Sequence, residues 1–154
     1  MSHFTQVDFH TVRRVVFVCK GNICRSAYAH ARARQLGLYT DSFGLEADAL
    51  HADADAIQNA TARQLDLSAH TPKAPHQLRL TETDLLAAME PQQCLQLEKQ
   101  YPNAQITLLG LWASPRRPYI HDPYGHGSRY FQACFSTIDS AVDCIAKNLI
   151  EAER

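Results

Sequence analysis

Val15-Val16-Phe17-Val18-Cys19-Lys20-Gly21-Asn22-Ile23-Cys24-Arg25-Ser26 decides how the chain is read, because it joins a wholly apolar run to a short loop dense in chemistry. Four β-branched or aromatic residues bounded by Arg14 and a Gly-containing loop suit a strand covered on both faces, as strands of a parallel sheet are. Beyond the loop, Ser26 to Leu38 (SAYAHARARQLGL) is rich in good helix formers and stops around Gly37, a C-terminal cap. The loop therefore links the carboxyl end of a strand to the start of a helix. There its backbone N–H groups and the positive end of the helix converge on one point, an anion site that suits a phosphate dianion. Gly21 and Asn22 strengthen this reading, since both residue types tolerate the left-handed backbone that turns N–H groups inward. The same field favours a thiolate at Cys19. Arg25 can return across the loop to chelate two phosphate oxygens, which a lysine point charge cannot do. Taken singly, Cys19 reads as a packed thiol and Arg25 as a solvated cation. In one loop they reverse that reading.

Further along, Leu38 to Leu45 supplies a short second strand, and Asp53 to Leu65 places Ile57, Ala60, Thr61 and Leu65 on one helical face. Pro72 and Pro75 deny Leu67 to Leu80 a long helix, and Asp84 to Met89 forms a third apolar strand. Pro91 opens a helix that runs to about Tyr101, Gln105 to Trp112 reads as a fourth strand, and Ser114 to Gly127 as a long loop. Phe131, Cys134, Phe135, Ile138, Val142, Ile145 and Leu149 recur at three- and four-residue spacing, so they line a long amphipathic helix. Strands alternating with helices predict an α/β fold. It is a single-domain three-layer sandwich with a four-stranded parallel sheet flanked by helices and the phosphate-binding loop after the first strand. Residues 1–13 have no period and read as a flexible lead-in to a domain of residues 14–154.

The 154 residues suit one domain, and 45% hydrophobic with 20% charged residues excludes disorder for most of the chain. A net charge of −1 gives no global field toward nucleic acid or anionic lipid. The longest apolar runs, Val15 to Cys19 and Leu85 to Met89, are far shorter than the ~20 residues of a membrane span, so no membrane insertion is expected. Met1 to Arg14 carries neither a secretory nor a lipidation pattern, and a cytoplasmic protein is expected. Five cysteines without an export signal argue for reduced thiols, with Cys94, Cys134 and Cys144 as core packing. Cys19 and Cys24 lack a second pair at zinc-ligand spacing, so no metal is expected.

The segment CKGNICRS, after a hydrophobic strand and before a helix, resembles the low-molecular-weight protein tyrosine phosphatase family, whose pattern is Cys-x-Gly-Asn-x-Cys-Arg-Ser. Asp122-Pro123-Tyr124 stands where that family has an Asp-Pro-aromatic motif, Asp41-Ser42 where it has an Asp-Ser pair, His70 where it has a structural histidine, and Met89-Glu90 where it has Met and an acid. The resemblance spans about residues 14 to 150. It implies hydrolysis of phosphotyrosine through a phosphocysteine, with Cys19 as nucleophile, Arg25 as phosphate clamp and Asp122 as general acid and then base. Lys20, Gly21, Asn22, Ile23, Cys24 and Ser26 would surround the phosphate, Ser26 donating to the Cys19 sulfur and Asn22 pinning the loop with Ser42. Tyr124 would wall a slot deep enough for a phenyl phosphate. No cofactor or metal is implied. Cys24 either packs the loop or traps an oxidised Cys19 as a disulfide, and the pairing of a reactive thiol with a neighbour favours the second.

Departures from the family pattern are Ala27 for the usual Pro, Phe43 for a small residue, and Lys73 near a common arginine. The Leu45 to Ala52 loop lacks a large aromatic opposite the tyrosine and leaves Leu50 as a wall. That loop and the LLGLW segment, Leu108 to Trp112, look like the bacterial branch acting on autophosphorylating tyrosine kinases of exopolysaccharide export. A monomer acting on a phosphotyrosine protein, such as a kinase of that kind, is the resulting expectation. Two rivals stand beside it. An arsenate reductase needs further redox thiols near the third strand, where only Cys94 lies. A phosphotyrosine-binding module has no use for nucleophile and acid together. Asp48, Asp53 and Asp55 with Arg116, Arg117 and Arg129 are candidates to border the cleft and select a partner, though solvated surface is the commoner role for such charges.

Overall fold

From Val15 on, every residue of the first strand is buried, and successive side chains enter opposite layers. Val15, Phe17 and Cys19 belong to one core, Val16 and Val18 to the other. That is why the run tolerates no polar residue, since a strand at mid-sheet has two dry faces. The computed structural model describes residues 2–154. Strand β1 (Arg14–Cys19) pairs in parallel with β2 (Thr40–Gly44) on one side and β3 (Asp84–Ala88) on the other, and β4 (Gln105–Leu108) extends the sheet beyond β3. The strand order is β2-β1-β3-β4.

Helices α1 (Arg25–Gln35), α2 (Ala54–Thr61) and α4 (Ser128–Glu153) contribute to the first core, while α3 (Pro91–Gln100) sends Cys94 and Leu97 into the second. Successive connections leave β1 toward opposite edges, so the crevice at its carboxyl end is the switch point where such sheets bind ligands. Helix α4 carries the sequence's apolar stripe, and Phe135 stacks on Tyr28 of α1 with centroids 3.8 Å apart. Asp139 of α4 accepts from Tyr28 Oη at 2.8 Å and Arg63 Nη2 at 2.7 Å, which ties α4 to α1 and to the turn that follows α2. Gly37, at φ 85, caps α1 as its sequence suggests.

Three segments differ from the sequence reading. The fourth strand stops at Leu108, and Leu109–Trp112 winds into a 3-10 turn. At Gly110 the Arg117 backbone folds back, donating its N–H to the Gly110 carbonyl at 2.7 Å, and a Cβ there would collide with the Arg117 carbonyl oxygen. Asp53 is not in a helix but caps α2, accepting from the Ala56 N–H at 3.1 Å, and the helix ends at Thr61 before Gln64 turns left-handed at φ 66. The lead-in is packed rather than loose. Phe4 is buried in the second core, Val12 in the first, and the Thr107 hydroxyl donates to the Phe4 carbonyl. Among the described residues no helix is long and apolar enough to cross a membrane.

Candidate active site

Leaving β1, the chain turns through Cys19 to Cys24 and enters α1 at Arg25. Asn22 makes the turn, with φ 58, a left-handed conformation that asparagine tolerates better than most residues. Gly21 does not share it. Its φ is not positive, and a Cβ there would meet only the Ile23 side chain, at 3.4 Å. The glycine that the loop requires is Gly44, at the end of β2, where a Cβ would come within 2.7 to 2.8 Å of the backbone of Lys20, Gly21 and Asn22. Leu45 N–H donates to the Cys19 carbonyl at 2.9 Å, Glu46 N–H to that of Lys20 at 2.8 Å and Asp53 N–H to that of Ile23 at 3.0 Å, so the segment after β2 braces the loop.

Counting protons assigns a direction to each bond inside the loop. The Asn22 side-chain amide donates one N–H to Ser42 Oγ at 2.9 Å and the other to Ser26 Oγ at 2.8 Å, and its Oδ1 accepts the Lys73 N–H at 3.0 Å. Ser26 Oγ accepts from Asn22, and toward a thiolate at Cys19, which can only accept, its own O–H is the donor across the 2.9 Å. The Asn22 backbone N–H points at the same sulfur from 3.3 Å. The Ser26 hydroxyl and the Asn22 N–H thus converge on Cys19 Sγ. His70 Nε2 donates to the Asn22 carbonyl at 2.8 Å and holds the turn from outside.

Arg25 is buried to 2% exposure. Burial opposes its charge, but Cys19, Glu90 and Asp122 outweigh it and hold the guanidinium cationic. Nη1 donates to Glu90 Oε2 at 2.6 Å and to the Ile120 carbonyl at 2.7 Å. Nη2 lies 3.8 Å from Asp122 Oδ2. Asp122 itself is half-exposed, and its Oδ1 accepts the Tyr124 N–H at 3.1 Å, closing a turn around Pro123. Tyr124 is exposed beside it. Lys20 is exposed at the rim, Ile23 packs partly against the first core, and Leu50 is 80% exposed on the loop after β2. Cys24 is buried at the start of α1, where desolvation and then the Asp53 carboxylate push its thiol up, so in the reduced protein it packs as a neutral group.

Residues distant in sequence complete the site. Glu90, noted only as a motif match, orients Arg25 and accepts from Tyr119 Oη at 2.7 Å. Gly44 and His30 were not singled out. No spacing in the sequence points at His30, whose burial near the start of α1, continuous from Arg25, appears only in the structure. The assembled site gathers the Cys19 sulfur, the Arg25 guanidinium and the Asp122 carboxyl group at the loop. That combination suits transfer of a phosphoryl group to sulfur and onward to water.

A family model described as low molecular weight phosphotyrosine protein phosphatase matches residues 14–154. The chain is 30% identical over 131 residues to the low molecular weight protein-tyrosine-phosphatase Wzb of Salmonella typhi, a match covering 82% of this chain and 87% of that protein. The structure of Vibrio vulnificus Wzb in complex with benzylphosphonate superposes with a TM-score of 0.77 at 28% identity, over 89% of this chain and 99% of that one. The arginine phosphatase YwlE of Geobacillus stearothermophilus, at 22% identity, shares the fold with a TM-score of 0.78 over 90% of this chain and 94% of its own. With a match that runs unbroken from β1 through the end of α4, the chain belongs to the low molecular weight phosphotyrosine protein phosphatase family.

Proposed function

We propose that the chain hydrolyses phosphotyrosine on a protein by double displacement. The Cys19 thiolate forms a bond to phosphorus as the bond to the phenolic oxygen breaks, and Asp122 in its acid form gives that oxygen its proton. Asp122, now a carboxylate, takes a proton from water whose oxygen attacks phosphorus, which frees phosphate and restores the thiolate. Arg25 and the loop N–H groups hold the equatorial oxygens through both steps. The observation that carries this reading is the convergence of Ser26 and Asn22 donors on Cys19 Sγ, with Arg25 linking the loop to Asp122. Tyr124 follows the acid in the chain and is proposed to flank the phenyl ring.

The proposed protein substrate is an autophosphorylating tyrosine kinase, on the strength of the Leu108 to Trp112 resemblance. Those residues act here through structure, since Leu108, Leu109 and Gly110 are buried and launch the segment that carries Asp122. The arsenate reductase reading is weakened by Cys94, which lies in the second core, whereas Cys19 belongs to the first.

Steady-state hydrolysis of a phosphotyrosine peptide in EDTA tests the proposal. Wild type is expected to turn over, Cys19→Ser to be inactive, and Asp122→Ala to lose about 10²- to 10⁴-fold in kcat. A phosphoarginine peptide run alongside separates the leaving groups that this fold can serve. Turnover retained by Cys19→Ser, or faster hydrolysis of phosphoarginine, would overturn the reading. An autophosphorylated tyrosine kinase left untouched by active enzyme would remove the partner assignment alone.

A further inference from the structure

Behind the phosphate loop lies a polar cavity of about 270 Å³ whose lining includes His30, Arg34, Ser42, His70 and Lys73. Within it, His30 sits between two groups that together dictate where its proton is. Arg34 Nη2 is 2.8 Å from His30 Nε2, and a guanidinium has donors only, so Nε2 accepts. The ring proton is therefore on Nδ1, which lies 2.9 Å from Ser42 Oγ and donates to it. Ser42 Oγ also accepts from Asn22 Nδ2 at 2.9 Å, so both of its lone pairs are taken. With Ser42 confined to accepting from this side, the Asn22 amide presents its N–H groups to Ser42 and Ser26. A Cys19 thiolate, which can only accept, then takes its hydrogen bond from the Ser26 hydroxyl.

We infer that His30 is a positioning residue for the phosphate loop: Arg34 sets its tautomer, and its Nδ1–H, through Ser42 and the Asn22 amide, directs the Ser26 hydroxyl at the Cys19 sulfur. Were the Asn22 amide to flip, Oδ1 would face Ser26, and the hydroxyl would donate to that oxygen instead of to sulfur. Without His30, only the Lys73 N–H would oppose the flip. The surroundings keep His30 neutral. Arg34 faces it from α1, Asp41 and Ser42 from β2, and Asp66, His70 and Lys73 from the segment that closes the cavity. Burial, and then Arg34, lower its pKa to about 4 against the weaker pull of Asp41.

The inference rests on Cys19 as nucleophile, but its test does not need turnover. Proton–nitrogen correlation spectra of the histidine rings at neutral pH are expected to show His30 protonated on Nδ1 and bare on Nε2, with a mixed population in Arg34→Ala. Alkylation of Cys19 by iodoacetamide at mildly acidic pH is expected to slow about tenfold in His30→Leu, the scale of one hydrogen bond to a charged acceptor. His30→Asn, which restores an N–H toward Ser42, is expected to recover most of that loss. In the phosphatase assay the same pair should differ in kcat with KM little changed. A proton on Nε2 in the wild type overturns the inference, as does a folded His30→Leu that alkylates at the wild-type rate. Should His30→Leu fail to fold, Arg34→Ala decides, because Arg34 is exposed: an imidazole spectrum identical to wild type is then the overturning result.

Discussion

Arg25 can clamp a phosphate only if something prevents its guanidinium from turning toward the nearest carboxylate at the mouth of the site. Glu90 does this from behind, at 2.6 Å, and the Ile120 carbonyl from the side, at 2.7 Å. Glu90→Gln keeps the shape and removes the charge. Hydrogen bonds to charged groups contribute about 1.5 to 3 kcal/mol, so kcat/KM for a phosphotyrosine peptide is expected to fall about tenfold or more. A steady-state comparison with wild type measures it, and an unchanged kcat/KM would show that Ile120 alone orients the clamp. At this scale the sequence was legible where chemistry is local. Cys19, Asn22, Arg25 and Ser26 lie within one loop, and their spacing announced them. Glu90 stands 65 residues from Arg25, and no spacing rule links the two. Gly21 and Asn22 both looked able to take a left-handed backbone, and of the two only Asn22 does so.

Elements impose a second class of constraint, which is close approach of backbones. The end of β2 passes so near the phosphate loop that only glycine fits at position 44. Gly44→Ala must push Lys20, Gly21 and Asn22 out of place, while both sheet layers lie away from the change. Activity is expected to drop by about a hundredfold or more, as misplacement of reacting groups by an ångström does, with near-ultraviolet circular dichroism of the core retained. Wild-type activity in that variant would show that the loop yields freely. The strands β1 and β3 were readable because both faces are dry and the runs are continuous. Strand β4 was overextended for a comparable reason. Leu109 and Leu111 look strand-like in sequence, and what ends the strand is the return of Arg117 onto Gly110, a contact invisible before folding.

For the molecule as a whole, alternation of strands and helices declared the layers, but the strand order did not follow from it. Nor did the packing of Phe4, which joins the core built from one face of the sheet and α3. Buried neutral histidines give the whole fold a pH signature. The folded-state pKa of His30 lies at about 4 against 6.5 for the free group, and burial lowers that of His70 in the same direction. Between those pH values the unfolded chain binds a proton that the folded one refuses, so stability declines as pH falls through the window and levels off below it. Full expression of the His30 shift from 6.5 to about 4 corresponds to about 3 kcal/mol at most. Urea melts across that range are expected to show the decline, with a flatter dependence in His30→Asn. An identical slope in the variant would assign the effect to other groups.

Ile120 offers a lesson for anyone remodelling the segment between β4 and α4. Its peptide N–H is bonded to Met89 at the end of β3 at 3.0 Å, and its carbonyl is bonded to Arg25. A graft taken from a relative to change substrate preference should therefore treat that one residue as the hinge pin and keep Ile120 through Asp122 together. Junctions placed between Ile120 and Asp122 would import a new acid without its alignment to the clamp, whereas length changes upstream, around Arg116, leave the pin untouched.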